Sequence, residues 1–268
     1  MFKNLLTYML LFLSFTYANP SDKHLDELLR LSGATEQISQ LPLMIKAGMT
    51  QAHKQSKVMP EKKYKELVNS VDTYILASEI ILVLKNELKK SITDKEIQEL
   101  LVWYKSDIGK KITKAEELAS TPTAYEAMMQ SKELLLKDSK RIVFAQKLDK
   151  LIGATQLTIE LQLYTAVTTT SAMLSIIEPD VPLDIKRIQA QLFPRIMQSY
   201  DTIAELVILS FVYAYKDISI EDLNTYMLFL NQKNTIKMNT ILLEAMNKGV
   251  QKSISKWAKN IAKIVIEE

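Results

Sequence analysis

The chain of 268 residues contains no cysteine, five glycines, seven prolines and two histidines. The absence of cysteine excludes disulfides, thiolate zinc sites, iron–sulfur clusters and cysteine nucleophiles. So little glycine and proline argues against a fold rich in tight turns and against a collagenous or linker-like chain. His24 and His53 lack a second histidine at helical ligand spacing, which favours surface histidines over metal ligands. We therefore predict neither a metal nor a cofactor.

Charge of one sign is also scarce, because 34 Lys and Arg oppose 31 Asp and Glu for a formal net charge of +3. Only four of the basic residues are arginines, namely Arg30, Arg141, Arg187 and Arg195. This argues against bidentate recognition of phosphate by arginine. Aromatic residues are not interleaved with the lysines, and we predict that nucleic acid is not a partner.

The first eighteen residues have the layout of a secretory signal peptide. Lys3 gives a basic start, Leu5 to Phe15 is almost uninterruptedly apolar, and Thr16-Tyr17-Ala18 ends on small residues at the −3 and −1 positions. We expect cleavage after Ala18, with export to the periplasm and no lipid anchor. A buried N-terminal helix is the alternative.

The remaining chain has the apolar spacing of an all-α protein, and we expect about ten helices. From Thr93, apolar residues recur in steps of three and four as far as Leu118, which predicts one helix with a capping box at Thr93 and Glu96. Thr121-Pro122 and Met59-Pro60-Glu61 predict two further helix starts. The segments Val71–Leu84 and Ile203–Tyr215 are apolar nearly all round and shorter than a bilayer span, so we expect buried central helices.

Two ordered sequence matches indicate an internal repeat. Gly33-Ala34-Thr35 returns as Gly153-Ala154-Thr155, and the segment from Thr93 to Trp103 returns as Ser219 to Phe229. In each copy the Gly-Ala-Thr word suits a helix end followed by a new cap. We therefore predict two tandem bundles, residues 19–140 and a divergent copy at residues 141–268, after the signal at residues 1–18. Chance recurrence in Leu-rich helices is the alternative.

A helical motif consists of an aromatic pair, a basic residue, Ser, Gly and a basic pair: Trp103, Tyr104, Lys105, Ser106, Gly109, Lys110 and Lys111. Together with residues 28–41, this motif resembles an exported bacterial family known as domain of unknown function 2059. The resemblance covers about residues 25–137 and is weak in the second half, where Thr235 stands in place of the glycine. It implies an exported all-helical fold and no established activity or catalytic residues.

Gly109 within a helix costs about 1 kcal/mol relative to Ala, so another interaction should favour it. Ser106 and Gly109 share a helix face, which predicts the close approach of a second helix. The alternative is a polar pocket formed by Tyr104, Lys105, Ser106 and Lys110.

The last helix is predicted to have an apolar face that includes Trp257 and a lysine face opposite it. The lysines are Lys248, Lys252, Lys256, Lys259 and Lys263. Such a helix either binds an anionic membrane surface or packs its apolar side on the second bundle.

Three carboxylates, Asp72, Glu79 and Glu205, lie on the most apolar segments, where burial would raise a pKa. The alternative is that each reaches solvent or a lysine. No phosphate loop or nucleophile elbow is present. We therefore predict a non-catalytic exported protein that binds a protein partner or an apolar ligand. The rival hypotheses are an envelope hydrolase with paired carboxylates and a protein that acts at the membrane surface.

Overall fold

A computed structural model describes residues 20–56, 60–178 and 181–266. Among these residues the fold is all-α, as predicted, and no strand occurs. The helices that start before residue 140 are α1 (Asp22–Leu31), α2 (Ala34–Ser56), α3 (Glu61–Tyr74), α4 (Ala77–Ser91), α5 (Asp94–Lys105), α6 (Asp107–Ala119), α7 (Pro122–Gln130), α8 (Lys132–Leu135) and α9 (Ser139–Ile152). The remaining helices are α10 (Ala154–Ile177), α11 (Ile185–Met197), α12 (Tyr200–Ala214), α13 (Ile220–Leu230) and α14 (Lys233–Ile266).

Local side-chain capping determines where several helices begin. Thr93 and Glu96 form the predicted capping box at the start of α5, and Thr121 caps α7 with Pro122 at its first position. Helix α3 begins at Glu61 after Pro60, also as predicted, although Pro60 provides no side-chain cap. These groups accept hydrogen bonds from helix N–H groups that lack an intrahelical partner.

The chain has more helices than the expected ten because predicted continuous helices are broken. The apolar segment Val71–Leu84 is interrupted at Ile75 and Leu76, between α3 and α4. The segment predicted as one helix from Thr93 to Leu118 is interrupted at Ser106, which has an extended backbone with ψ of 159°. Both predictions of continuity were wrong, since apolar spacing persists across a break when both helices pack on the same core.

One large hydrophobic core includes residues from both predicted halves. Leu25, Ile80 and Leu100 from the first half and Val250 and Trp257 from the second are almost fully buried in it. Helix α14 packs along α4 and α10, and also contacts α3. Two smaller clusters lie between α12 and the α7–α9 region, and between α10 and α11.

The boundary predicted between residues 140 and 141 lies inside α9. Gly33 and Gly153, the predicted matching helix ends, both adopt left-handed conformations, with φ of 75° and 67°. The following helices begin at the alanine and not after a threonine cap, and the Thr155 hydroxyl instead donates to Asp149 at 2.8 Å. The internal repeat itself stays a prediction.

By length and composition, one helical stretch in the described chain, Glu61–Ser91, is apolar enough to cross a membrane. It contains the break between α3 and α4. Its fully buried residues Val71, Ile80 and Leu88 belong to the large core. A core helix of a soluble protein passes the same criteria. Residues 1–19, which include the predicted signal peptide, lie outside the described residues.

Candidate functional site

A cavity of about 370 Å³ lies where helices of both predicted halves meet. Its lining is mostly apolar and comes from the α1–α2 junction, α4, α5, α6, the α9–α10 junction, α12, α13 and α14. Leu84, Ile112, Phe211, Leu230 and Met246 are typical lining residues. A volume of this size and an apolar lining with few polar groups are characteristic of small-molecule sites.

Among the described residues that line the cavity, Glu116 of α6 is the one charged residue. Its Oε1 accepts hydrogen bonds from the hydroxyls of Tyr215, at 2.6 Å, and Tyr226, at 3.0 Å. The two tyrosines are buried and come from the end of α12 and from α13, whereas the carboxylate comes from the first half. The polar centre of the cavity thus requires both halves of the chain.

Burial raises the pKa of Glu116, and the neighbouring Glu117 adds to the rise, while the two tyrosine hydroxyls oppose it. Among the described residues no cation forms an ion pair with Glu116. The pKa values of Tyr215 and Tyr226 are raised well above 10.0, first by burial and then by the Glu116 charge. Both phenols therefore stay protonated at neutral pH and act as donors to the carboxylate.

Arg141 positions the segment that carries Tyr215. Its Nε donates to the Tyr215 carbonyl at 3.1 Å and its Nη2 donates to the Ile218 carbonyl at 2.7 Å. Its Nη1 also donates to Asp138 at 2.6 Å. The pKa of Asp138 is lowered first by the hydrogen bond from the Arg141 backbone N–H and then by this side-chain hydrogen bond. The guanidinium thus joins the start of α9 to the end of α12. Its hydrogen bond to the Tyr215 carbonyl fixes the backbone from which the Tyr215 side chain reaches the cavity.

The aromatic pair of the sequence motif lies at and beside the cavity. Tyr104 lines it, and Trp103 stacks on Phe229 with ring centroids 4.4 Å apart and an interplanar angle of 7°. Tyr104 meets the same Phe229 ring edge-on at 5.6 Å. The motif aromatics therefore join α5 to α13.

Gly109 lies in the first turn of α6, and the atoms that a Cβ there would meet first belong to Trp103 and Tyr104 at the end of α5. Its N–H donates to the Ser106 hydroxyl, and that hydroxyl donates to the Trp103 carbonyl. A Cβ at Gly109 would lie 2.1 Å from the same carbonyl oxygen. The glycine is required by the sharp turn between α5 and α6, so the motif residues span two helices and not one.

The basic residues of the motif lie on the surface and do not form the alternative polar pocket. Lys105 pairs with Glu27 at 2.9 Å, and Lys111 pairs with Asp222 at 2.7 Å. Lys110 is exposed. The pair at Lys111 joins the first half to the start of α13, while Lys105 joins α5 to α1.

Comparison with known proteins identifies one part of the chain. Residues 78–137 match a family described as an uncharacterized protein conserved in bacteria (DUF2059). The family resemblance is confirmed for this segment. The DUF2059 segment contains the motif and Glu116, whereas residues 28–41 lie outside the match. No curated protein and no solved structure matches the chain significantly.

The apolar face of α14 packs inside the protein. Trp257 has no exposed surface and donates its indole N–H to the Ser70 hydroxyl at 2.7 Å. The face rests on α3 and α4 of the first half as well as on α10, so packing extends beyond the second bundle that the sequence suggested.

The lysine face of α14 is partly engaged in ion pairs. Lys248 pairs with Glu87 at 2.7 Å and Lys256 pairs with Glu79 at 3.2 Å, both on α4. Lys252 is exposed. The side chains of Lys259 and Lys263 lie outside the described residues.

The carboxylates that the sequence singled out are not the buried ones. Asp72 and Glu205 are exposed and pair with Lys46 and Lys132, while Glu79 pairs with Lys256. The alternative of a carboxylate that meets a lysine is therefore correct for all three. His24 and His53 contact the carboxylates of Asp94 and Glu61.

Glu116 was missed because it follows three lysines and precedes a second glutamate in the sequence, which suggests a solvated face. One available signal was its spacing from apolar residues. Glu116 lies four residues after Ile112 and three before Ala119, and residues at these spacings share one face of a helix. The partners Tyr215 and Tyr226 are distant in sequence, so their convergence on Glu116 had no sequence signal.

Proposed function

We propose that this protein is an exported, non-catalytic binding protein that holds an apolar ligand in the cavity between its two halves. The observation that carries the proposal is the cavity of about 370 Å³ beside the large core. Its lining is predominantly apolar, yet side chains of the core do not fill it. Well-packed cores leave few voids larger than a water molecule, so an apolar space of this size favours a ligand site. The signal-like residues 1–18 support export.

The cavity does not support the rival hydrolase. Carboxylate catalysis of glycoside cleavage needs two carboxyl groups on opposite sides of the bond, separated by about 5 to 9.5 Å. Glu116 is the one carboxylate among the lining residues, and its Oε1 is occupied by two phenol donors. The arrangement suits binding and offers no second acid or base.

The membrane-surface alternative also has less support than the ligand proposal. A helix that lies on a membrane needs its apolar face free to enter the interface. In α14 the residues Val250, Ile254 and Trp257 are buried against the rest of the protein. Lys248 and Lys256 are paired with carboxylates of α4.

The ligand proposal is tested with purified mature protein. Organic extraction and mass spectrometry should recover a co-purifying apolar compound, and the neutral fluorophore N-phenyl-1-naphthylamine should bind with enhanced fluorescence. Met246→Trp is expected to abolish both, because the larger side chain fills a position on the cavity wall. Met129→Trp is the matched control, since Met129 is exposed and does not line the cavity.

Unchanged fluorophore binding by folded Met246→Trp would overturn the cavity as the binding site. Failure of the wild-type protein both to yield a compound and to bind the fluorophore would overturn the proposed function. Circular dichroism and the urea midpoint of each variant show whether it is folded.

A further inference from the structure

We propose that the ligand carries a positively charged amine beside its apolar part, and that the Glu116 carboxylate binds this amine. The inference rests on the proposed function and specifies the chemical class of the ligand. Its basis is an unbalanced charge at the cavity wall. Glu116 is the one charged group among the lining residues, and no described Lys or Arg forms an ion pair with it.

A carboxylate removed from water without a countercharge costs several kcal/mol unless hydrogen bonds or protonation compensate it. The two phenols compensate Glu116 in part, but both donate to Oε1. No hydrogen bond to Oε2 is present among the described residues. A ligand cation would supply the missing charge and would bind to the oxygen that the protein leaves without a donor.

The serine and threonine hydroxyls of the lining are already used as donors within the protein. The Ser32 and Thr113 hydroxyls donate to the carbonyls of Leu29 and Leu31. Likewise, the Ser120 hydroxyl donates to the Glu116 carbonyl at 2.8 Å and the Ser210 hydroxyl donates to the Val207 carbonyl at 2.7 Å.

These bonds leave the oxygens of the wall as acceptors, and an acceptor-rich wall is complementary to a donor such as an ammonium group. The donors that remain are the Tyr104 hydroxyl and the amides of Gln37 and Asn239. None of them is charged. An anionic ligand head would therefore meet the Glu116 charge without a compensating cation, and we expect the cavity to exclude it. A neutral alcohol head would bind, but it would leave the charge of the carboxylate unbalanced.

Three probes with the same ten-carbon chain separate these possibilities: decylamine, decanol and decanoate. Each is used at pH 7.5 to displace N-phenyl-1-naphthylamine from the full mature protein. Decylamine is expected to displace the fluorophore at a concentration at least about tenfold lower than decanol, a ratio equivalent to about 1.4 kcal/mol. Decanoate is expected to be the weakest of the three.

Two substitutions at Glu116 and one beside it complete the test. Glu116→Gln should bring decylamine and decanol within about twofold of each other, because the charge is lost while the side-chain shape is kept. Glu116→Asp should retain the preference for the amine. Glu117→Gln is the matched control, since Glu117 is next in the chain and does not line the cavity. It removes only the repulsion that adds to the raised pKa of Glu116, so the preference for the amine should be retained.

Equal displacement by decylamine and decanol from the wild-type protein would overturn the amine proposal while leaving the cavity as a binding site. A preference for the amine that survives in folded Glu116→Gln would overturn it as well. By contrast, a wild-type protein that binds neither the fluorophore nor any of the three probes contradicts the proposed function itself. The two failures are therefore distinguishable.

Discussion

The junction between α5 and α6 and the junction between α13 and α14 meet at one aromatic stack, yet they are built differently. Trp103 precedes the first break and Phe229 precedes the second, and their rings stack. At the first junction Ser106 caps α6 and Gly109 fits against the Trp103 carbonyl. At the corresponding place in the second junction stands Thr235, fully buried. The α5–α6 connection thus requires a glycine and the α13–α14 connection does not, and the requirement comes from the local turn.

The helices that follow the two junctions also differ in what they bring to the cavity. Glu116 follows Trp103 by as many residues as Leu242 follows Phe229, and both line the cavity. Helix α6 supplies the charge and ends at Ala119, whereas α14 supplies an apolar wall and continues to Ile266. The cavity is therefore asymmetric, with one charged side, and we expect this asymmetry to orient the proposed ligand.

Among substitutions that test the difference between the two junctions, we expect the largest loss of stability at Gly109. Gly109→Ala places a methyl group 2.1 Å from the Trp103 oxygen, a backbone atom that moves only if the junction moves. We expect the free energy of unfolding to fall by about 3 kcal/mol, the upper part of the usual range for overpacking. Urea unfolding followed by circular dichroism measures it.

Gly48→Ala is the control for that substitution. Gly48 lies within α2, and a Cβ there would meet no atom within 4 Å. Removal of the backbone entropy of a helical glycine should raise the free energy of unfolding by about 0.5 to 1 kcal/mol. If Gly109→Ala is equally harmless, the turn between α5 and α6 is not what requires the glycine.

The second largest effect is a dependence of stability on pH. It comes from Glu116 of α6, whereas Leu242, its counterpart in α14, does not titrate. Because burial raises the pKa of Glu116 above its ordinary 4.5, the folded state binds its proton more tightly than the unfolded state does. The stabilisation is complete below pH 4.5 and is lost as the pH rises through the folded pKa. Between the two pKa values stability falls by at most about 1.4 kcal/mol per pH unit.

Glu116→Gln should remove this loss, so the variant gains stability relative to the wild type as the pH rises from 4.5 to 8.5. The titratable groups that face Glu116 are Tyr104, Tyr215, Tyr226 and Glu117. The phenols keep their protons throughout this range. Urea unfolding of wild type, Glu116→Gln and Glu117→Gln at several pH values measures the effect. Parallel profiles for wild type and Glu116→Gln would contradict it.

The sequence predicted the fold class and several helix starts because these depend on neighbouring residues. The Thr93 and Glu96 capping box is such a case, and so are the left-handed helix ends at Gly33 and Gly153. Caps and glycine conformations act within about one helical turn, so the sequence pattern contains their cause.

The close helix approach and the contacts of Glu116 could not be predicted, because they depend on residues that are far apart in the sequence. Gly249, within the lysine-rich helix α14, is the place of a close helix approach, since a Cβ there would lie 3.1 Å from Cγ2 of Ile80. The sequence suggested Gly109 for that role. Similarly, the hydroxyls of Tyr215 and Tyr226, which donate to Glu116, come from the second half of the chain. Which glycine a distant helix crosses, and which carboxylate is buried, are properties of tertiary packing.

The smallest expected effect comes from the hydroxyl of Thr235, near the start of α14. Thr235 is fully buried, and its hydroxyl has no hydrogen-bond partner among the described residues. Thr235→Val removes an unpaired polar group at nearly constant volume, and we expect the free energy of unfolding to rise by about 1 kcal/mol. Thr113→Val is the matched control, because Thr113 is similarly buried but donates to the Leu31 carbonyl at 3.2 Å. It should lose about 1 kcal/mol by leaving that carbonyl unpaired. Opposite signs for the two substitutions mean that the buried Thr113 hydroxyl is paired and the buried Thr235 hydroxyl is not, whereas a loss in both would show that Thr235 has a partner after all.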